Sequence, residues 1–162
     1  MTFDPLMWVF ATNARYKNSR RSCLELKPLL GRFFTDELLA FAGFVIVDEL
    51  PSPPLAQVKA MGLESLLTPS AQGLTLANTY YLKPAAAGQL RVHVHELVHV
   101  LQWRNLGAAR FIDRYLQEMA RHGYRQAPLE QMACELEHLF ALSPARGFDI
   151  TAEVKHRLAL WG

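Results

Sequence analysis

Along the second half of the chain the apolar residues settle into helical spacing, and that pattern sets the expected architecture. From Gln89 onward Leu90, Val94, Leu97, Val98 and Leu101 fall on one stripe, which predicts an amphipathic helix facing a core and stopping at Gly107. Residues 108–122 repeat the spacing through Phe111, Ile112, Tyr115, Leu116 and Met119, up to a second glycine, Gly123. Pro128 suits the first position of a further helix reaching about residue 142, and Thr151 is the expected cap of a last one through residue 161.

The first half is more mixed. Residues 24–34 have helical apolar spacing, and Thr35-Asp36-Glu37 supplies a cap and an acidic first turn for a second helix through Ala42, which Gly43 should end. Phe44-Val45-Ile46-Val47 is short and β-branched, the pattern of a buried strand. Residues 55–67 read as a short helix before a break at Thr68-Pro69-Ser70. Residues 74–82 alternate, as one strand or as a hairpin turning at Ala77-Asn78. The proline stretch Pro51-Ser52-Pro53-Pro54 is too short to separate domains. The expectation is a single α+β domain over residues 1–162, a small α/β part with a short antiparallel sheet or hairpin followed by a helical half.

Composition narrows the function without naming it. With 51% apolar and 20% charged residues, the chain has the balance of an ordinary globular protein. A net charge of +2 argues against nucleic acid or a membrane surface as partner. The densest basic stretch, Arg15, Lys17, Arg20 and Arg21, has only Tyr16 interleaved and reads as a solvated segment. Cys23 and Cys134 form no CxxC pair, which favours a reducing compartment, the cytoplasm, with non-classical export left open. The apolar patch at residues 6–11 has its basic residues after it, unlike a signal peptide, and no apolar run is long enough to cross a bilayer. Oligomeric state is not legible.

Chemistry concentrates in His95-Glu96-Leu97-Val98-His99. On a helix, histidines at i and i+4 project from one face, one turn apart, where both can reach one Zn²⁺ through bonds of ~2.0–2.1 Å. Glu96 lies beside His95, placed to take a proton from an attacking water without being a ligand. The apolar stripe of the same helix is expected to pack away from the ligand face.

A catalytic zinc needs a third protein ligand. No later histidine completes HExxHxxGxxH, since residue 105 is Asn and residue 102 is Gln. A carboxylate from a later helix remains, with Glu130, Glu135 and Glu137 as candidates. Glu130 is preferred because it falls in the first turn of the helix opened by Pro128, with Ala133 leaving room for close packing; Glu135 is next, and Glu137 is expected to serve a surface charge or His138. Hydrolysis also needs a donor for the developing oxyanion. Tyr124 is the choice, with His122 and Arg125 as alternatives. His93 points away around the helix, His138 and His156 read as surface residues, and Trp103 reads as core more than as a wall of the cleft.

The motif with Val100-Leu101-Gln102, then Tyr124-Arg125 and Ala127-Pro128-Leu129-Glu130 with Ala133, resembles gluzincin-type zinc metallopeptidases. Nearer still are small zincin-like metallopeptidase-core domains, including those found with contractile injection systems; the likeness covers residues 74–137. It differs from them in Ala77, where such domains usually carry Gly, and in Ala127, where they often carry Asn. The resemblance implies a zincin fold, zinc on His95, His99 and Glu130, and a strand at residues 74–82 that can edge a cleft and pair with an extended peptide. The expected activity is a zinc-dependent peptidase with a peptide or protein substrate. The competing expectation is a zinc-stabilised binding or scaffold domain with little or no turnover.

Overall fold

The computed structural model describes residues 3–62, 71–142 and 145–161. Asp4 starts the first helix: its Oδ1 accepts from the Leu6 and Met7 backbone N–H groups at 3.0 and 3.4 Å, and Pro5 occupies the first turn of α1 (Pro5–Arg15). The apolar patch at residues 6–11 therefore lies on a helix, which buries Val9. The single helix expected over 24–34 is instead a 3₁₀ turn at Cys23–Leu26 and a short α2 (Lys27–Leu30). Pro28 is the reason: lacking an N–H, it cannot donate back to the preceding turn, but it does fit the start of a new one.

Thr35 caps α3 (Asp36–Phe41) as expected, its Oγ1 accepting from Leu38 N at 3.2 Å. Gly43, however, does not end that helix; it begins β2 (Gly43–Ile46). A side chain there would collide with the Arg20 guanidinium, whose Cζ lies 2.3 Å from where a Cβ would sit. Arg20 is correspondingly no solvated residue. It donates to Thr79 Oγ1, Phe41 O and Asn78 O at 2.9, 2.9 and 3.2 Å, stitching the end of α3 to the sheet.

Among the described residues the sheet has four strands in the order β1-β2-β4-β3, with β1 at Arg21–Ser22, β3 at Gly73–Leu76 and β4 at Thr79–Leu82. The β3–β4 hairpin turns at Ala77-Asn78. The sheet is mixed, because β2 runs parallel to β4, after a crossover that includes α4 (Leu55–Ala60). The part of the helix expected over 55–67 that lies beyond residue 62 falls outside the described residues. Ala77 has φ +60, the positive value that a two-residue hairpin loop requires and that glycine takes at no steric cost.

Four helices follow: α5 (Leu90–Leu106), α6 (Ala108–His122), α7 (Pro128–Leu142) and α8 (Ile150–Leu160). Asp149, not Thr151, caps α8, accepting from Ala152 N at 2.9 Å. This is the α+β order expected, mixed elements first and helices after. The α5 helix is central: it packs on α7, α8 and the β3–β4 hairpin. Every residue from His93 to Trp103 except His95 is buried, so its polar groups there must find partners inside the protein. Among the described residues no helix is long and apolar enough to cross a membrane.

Candidate metal centre

Helix α5 sets His95 and His99 one turn apart, with their Nε2 atoms 3.2 Å from each other. Helix α7 brings Glu130 across to both: Oε1 is 2.7 Å from His95 Nε2 and Oε2 is 3.1 Å from His99 Nε2. These separations are near the ~3.3 Å edge of a tetrahedron with bonds of ~2.0–2.1 Å. The structure places neither Glu135 nor Glu137 among the three. Glu135 is exposed and paired with Arg157 at 2.7 Å, and Glu137 lies behind His95, 3.9 Å from Nδ1.

The hydrogen bonds around His99 decide its tautomer. Gln102 Nε2 donates to the Leu129 carbonyl at 2.9 Å, a group that can only accept, and this fixes the amide with Oε1 toward His99 Nδ1 at 2.8 Å. Nδ1 therefore carries the proton, and the Nε2 lone pair faces His95 and Glu130. Acceptors turned toward one point from two helices call for a cation between them. The set of two imidazoles and one carboxylate is geometrically suited to a zinc ion.

Without a metal, protons fill that need. Burial works against charge on His95, but contacts with Cys134 and Glu130 outweigh it and push its pKa up to about 11. His99 is raised as well, burial again being overcome by Glu130. Burial would lift Glu130, yet the two histidines hold it well below the usual carboxylate range.

The position of Glu130 depends on a residue remote in sequence. Ala127 precedes Pro128 and has no side-chain oxygen to cap α7; Glu118 of α6 supplies it, accepting from Leu129 N at 2.8 Å while Arg114 holds its other oxygen at 3.1 Å. The cap that Ala127 cannot give is thus supplied from another helix. On the far side of His95, Glu137 Oε2 is buried without a hydrogen-bond partner among the described residues, which corrects the expectation of a surface role.

Glu96 is buried beside the triad but outside it. Thr75 Oγ1 donates to its Oε2 at 2.6 Å, and Gly73 leaves room for the other oxygen, since a Cβ there would lie 2.7 Å from Oε1. Glu96, His99 and Glu130 all line a cavity of about 410 Å³, as do Tyr115 and Tyr124. Burial first, then the charge of Glu130, raises the pKa of both phenols far above the ordinary value, so each keeps its proton to donate.

No family model, curated protein or solved structure matches the chain. The gluzincin-like arrangement of two histidines on one helix and a glutamate on another is nonetheless present in the geometry.

The remaining candidates separate clearly. Trp103 is buried, stacked on Phe111 at 4.3 Å, and also lines the cavity, so it is both core and wall. His122 borders a different groove, with Arg110, Arg121 and Trp161, and Arg125 is exposed. His93 sits on the sheet side: its Nε2 donates to Ala87 O at 2.8 Å and its Nδ1 accepts from Tyr80 O–H at 2.7 Å. His138 and His156 are exposed. Gln102 lies three residues after His99, hence on the same helix face, a signal readable in the sequence. Thr75, Tyr115 and Glu118 join the site only through tertiary packing.

Proposed function

We propose that the chain is a zinc-dependent hydrolase acting on peptide bonds, with His95, His99 and Glu130 as the metal ligands. The observation that carries this reading is Glu96, a buried carboxylate in the cavity beside the triad yet not part of it. A domain needing zinc only for stability has no use for a second, separately held carboxylate there. When bound, zinc supplies Lewis-acid polarisation of a carbonyl and makes water nucleophilic near neutral pH.

The protein groups do the rest. Gln102 keeps the His99 Nε2 lone pair turned inward, and Glu118 fixes the start of the helix that carries Glu130. Glu96 takes the proton of the attacking water and returns it to the leaving amine, as a general base and then a general acid. Thr75 holds one oxygen of Glu96 and so orients the other. Tyr124 is the donor for the developing oxyanion, with Tyr115 as the second phenol on the cavity wall.

The test is Glu96→Gln. The amide still accepts from Thr75 but takes no proton from water. We expect the variant to bind as much zinc as the wild type and to lose peptide hydrolysis by a factor of at least ~10². Retained hydrolysis with normal zinc content would remove Glu96 from the mechanism.

A further inference from the structure

Helix α6 borders two different hollows. Phe111, Ile112, Tyr115 and Leu116 face the cavity beside the triad, whereas the other side of the helix borders a separate groove of about 510 Å³. Leu106 at the end of α5, Pro128 at the start of α7 and Trp161 just past α8 complete that groove. Its charged residues are Arg110, Asp113, Arg114, Glu118 and Arg121, with His122 at the end of the helix. Both oxygens of Glu118 are already engaged, one by Leu129 N and the other by Arg114. Two arginines, the outer part of a third and the carboxylate of Asp113 are left for a ligand.

Arg114 is held ready. Its Nε donates to Glu118 at 3.1 Å and its guanidinium lies over the Trp161 ring, 4.4 Å from the centroid, while its terminal nitrogens have no acceptor among the described residues. A guanidinium fixed in this way loses little freedom when it takes a carboxylate in fork geometry. Arg110 and Arg121 are exposed, and they too have no acceptor among the described residues. Arg121 suits the last turn of α6, but Arg110 lies in the first turn, where a cation opposes the helix dipole. Helix stability does not explain it.

The spacing selects the ligand. Arg110 and Arg121 are eleven residues apart on one helix. At ~1.5 Å per residue that is about 16 Å, a separation that a row of acidic groups matches and a single phosphate does not. An extended chain, at ~3.3 Å per residue, covers it with about five residues. Nucleic acid is disfavoured by the carboxylate of Asp113 in the groove and by a net charge of only +2. Leu106, Pro128 and the partly exposed Trp161 add apolar surface.

We propose that this groove binds an acidic, extended segment of a partner protein, with its carboxylates on Arg110, Arg114 and Arg121 and an apolar side chain against Trp161. Arginine clusters recognise acidic motifs in this manner. The proposal depends neither on zinc nor on hydrolysis.

The experiment is calorimetric titration of the full chain, with and without zinc, using acetyl-Glu-Asp-Leu-Asp-Glu-amide, its Gln-Asn-Leu-Asn-Gln counterpart, inorganic phosphate and a short DNA duplex. We expect the acidic peptide to bind roughly tenfold tighter than its amide counterpart, through three ion pairs. The margin should shrink as salt is added. Arg110→Ala and Arg121→Ala should each weaken the acidic peptide by ~2–5-fold and leave the amide peptide unchanged, and Asp113→Asn should strengthen the acidic peptide. All three side chains are exposed, so the fold is retained.

Equal binding of the two peptides, or an acidic preference that none of the three substitutions changes, overturns the proposal. So does phosphate that displaces the acidic peptide at comparable concentration, the mark of a small-anion site, or DNA that binds more tightly than the peptide. Acid-selective binding that both arginine substitutions weaken supports it, whether or not the protein takes up zinc or cleaves a peptide.

Discussion

Replacing Gln102 with leucine removes the side chain that ties the two ligand-bearing helices together. Gln102 is fully buried; it accepts from His99 Nδ1 at 2.8 Å and donates to Leu129 O at 2.9 Å, with a longer contact to Met132 Sδ at 3.5 Å. Leucine has similar bulk, so the packing survives while both bonds go. The His99 Nδ1–H becomes a buried donor with no acceptor, which costs ~1–3 kcal/mol, and the bond to Leu129 is worth ~0.5–1.5 kcal/mol more. The metal-free protein should therefore lose roughly 2–4 kcal/mol of stability, read from urea unfolding. Zinc affinity should fall about 10–100-fold, read by competition with a chelator, because His99 is then free to turn or change tautomer. Gln102→Glu separates the two effects: its carboxylate still accepts from Nδ1–H but repels the Leu129 carbonyl, so stability falls while zinc affinity stays close to the wild type. The reasoning is refuted if Gln102→Leu binds zinc as tightly as the wild type, or if both variants lose the same affinity.

Ala77 at φ +60 invites relief. An L-residue there carries roughly 1–2 kcal/mol of strain, and glycine's greater chain entropy returns about half of that, so Ala77→Gly should stabilise by about 0.5–1 kcal/mol, with calorimetry showing a higher Tm; an unchanged or lower Tm contradicts the strain. His93 gives a pH dependence. Burial lowers its pKa in the folded protein from about 6.5, so the unfolded chain takes up the proton first as pH falls. Its stabilising contribution is thus complete above pH 6.5 and is lost as pH drops toward the folded value. The urea midpoint of the wild type should fall more steeply below that pH than that of His93→Gln, and parallel slopes would exclude the effect.

The parts of the site that could be read from the chain are those carried by one element. His95, Glu96 and His99 follow from helical spacing alone, and Pro128 fixes where the helix of Glu130 begins, so its first turn was readable too. The hairpin at Ala77-Asn78 followed from alternation and loop length. What was not legible depends on which elements meet. Nothing near Ala127 indicates that Glu118, on another helix, caps α7. Thr75 became the partner of Glu96 only because the edge strand packs on α5. Gly43 and Thr151 were misread for a related reason: a glycine after a helix and a threonine near a helix start have local roles by default. Here Arg20 needs the space over Gly43, and Asp149, two residues before Thr151, is the residue placed to cap α8.

The central claim is that His95, His99 and Glu130 hold one zinc ion between two helices. Native mass spectrometry of metal-free protein titrated with zinc tests it most directly, with His99→Ala and Glu130→Ala run alongside. The account predicts about one zinc per wild-type chain, saturating at stoichiometric metal, and no stoichiometric uptake by either variant. A wild type that takes up no zinc, or variants that take up as much as it does, would contradict it.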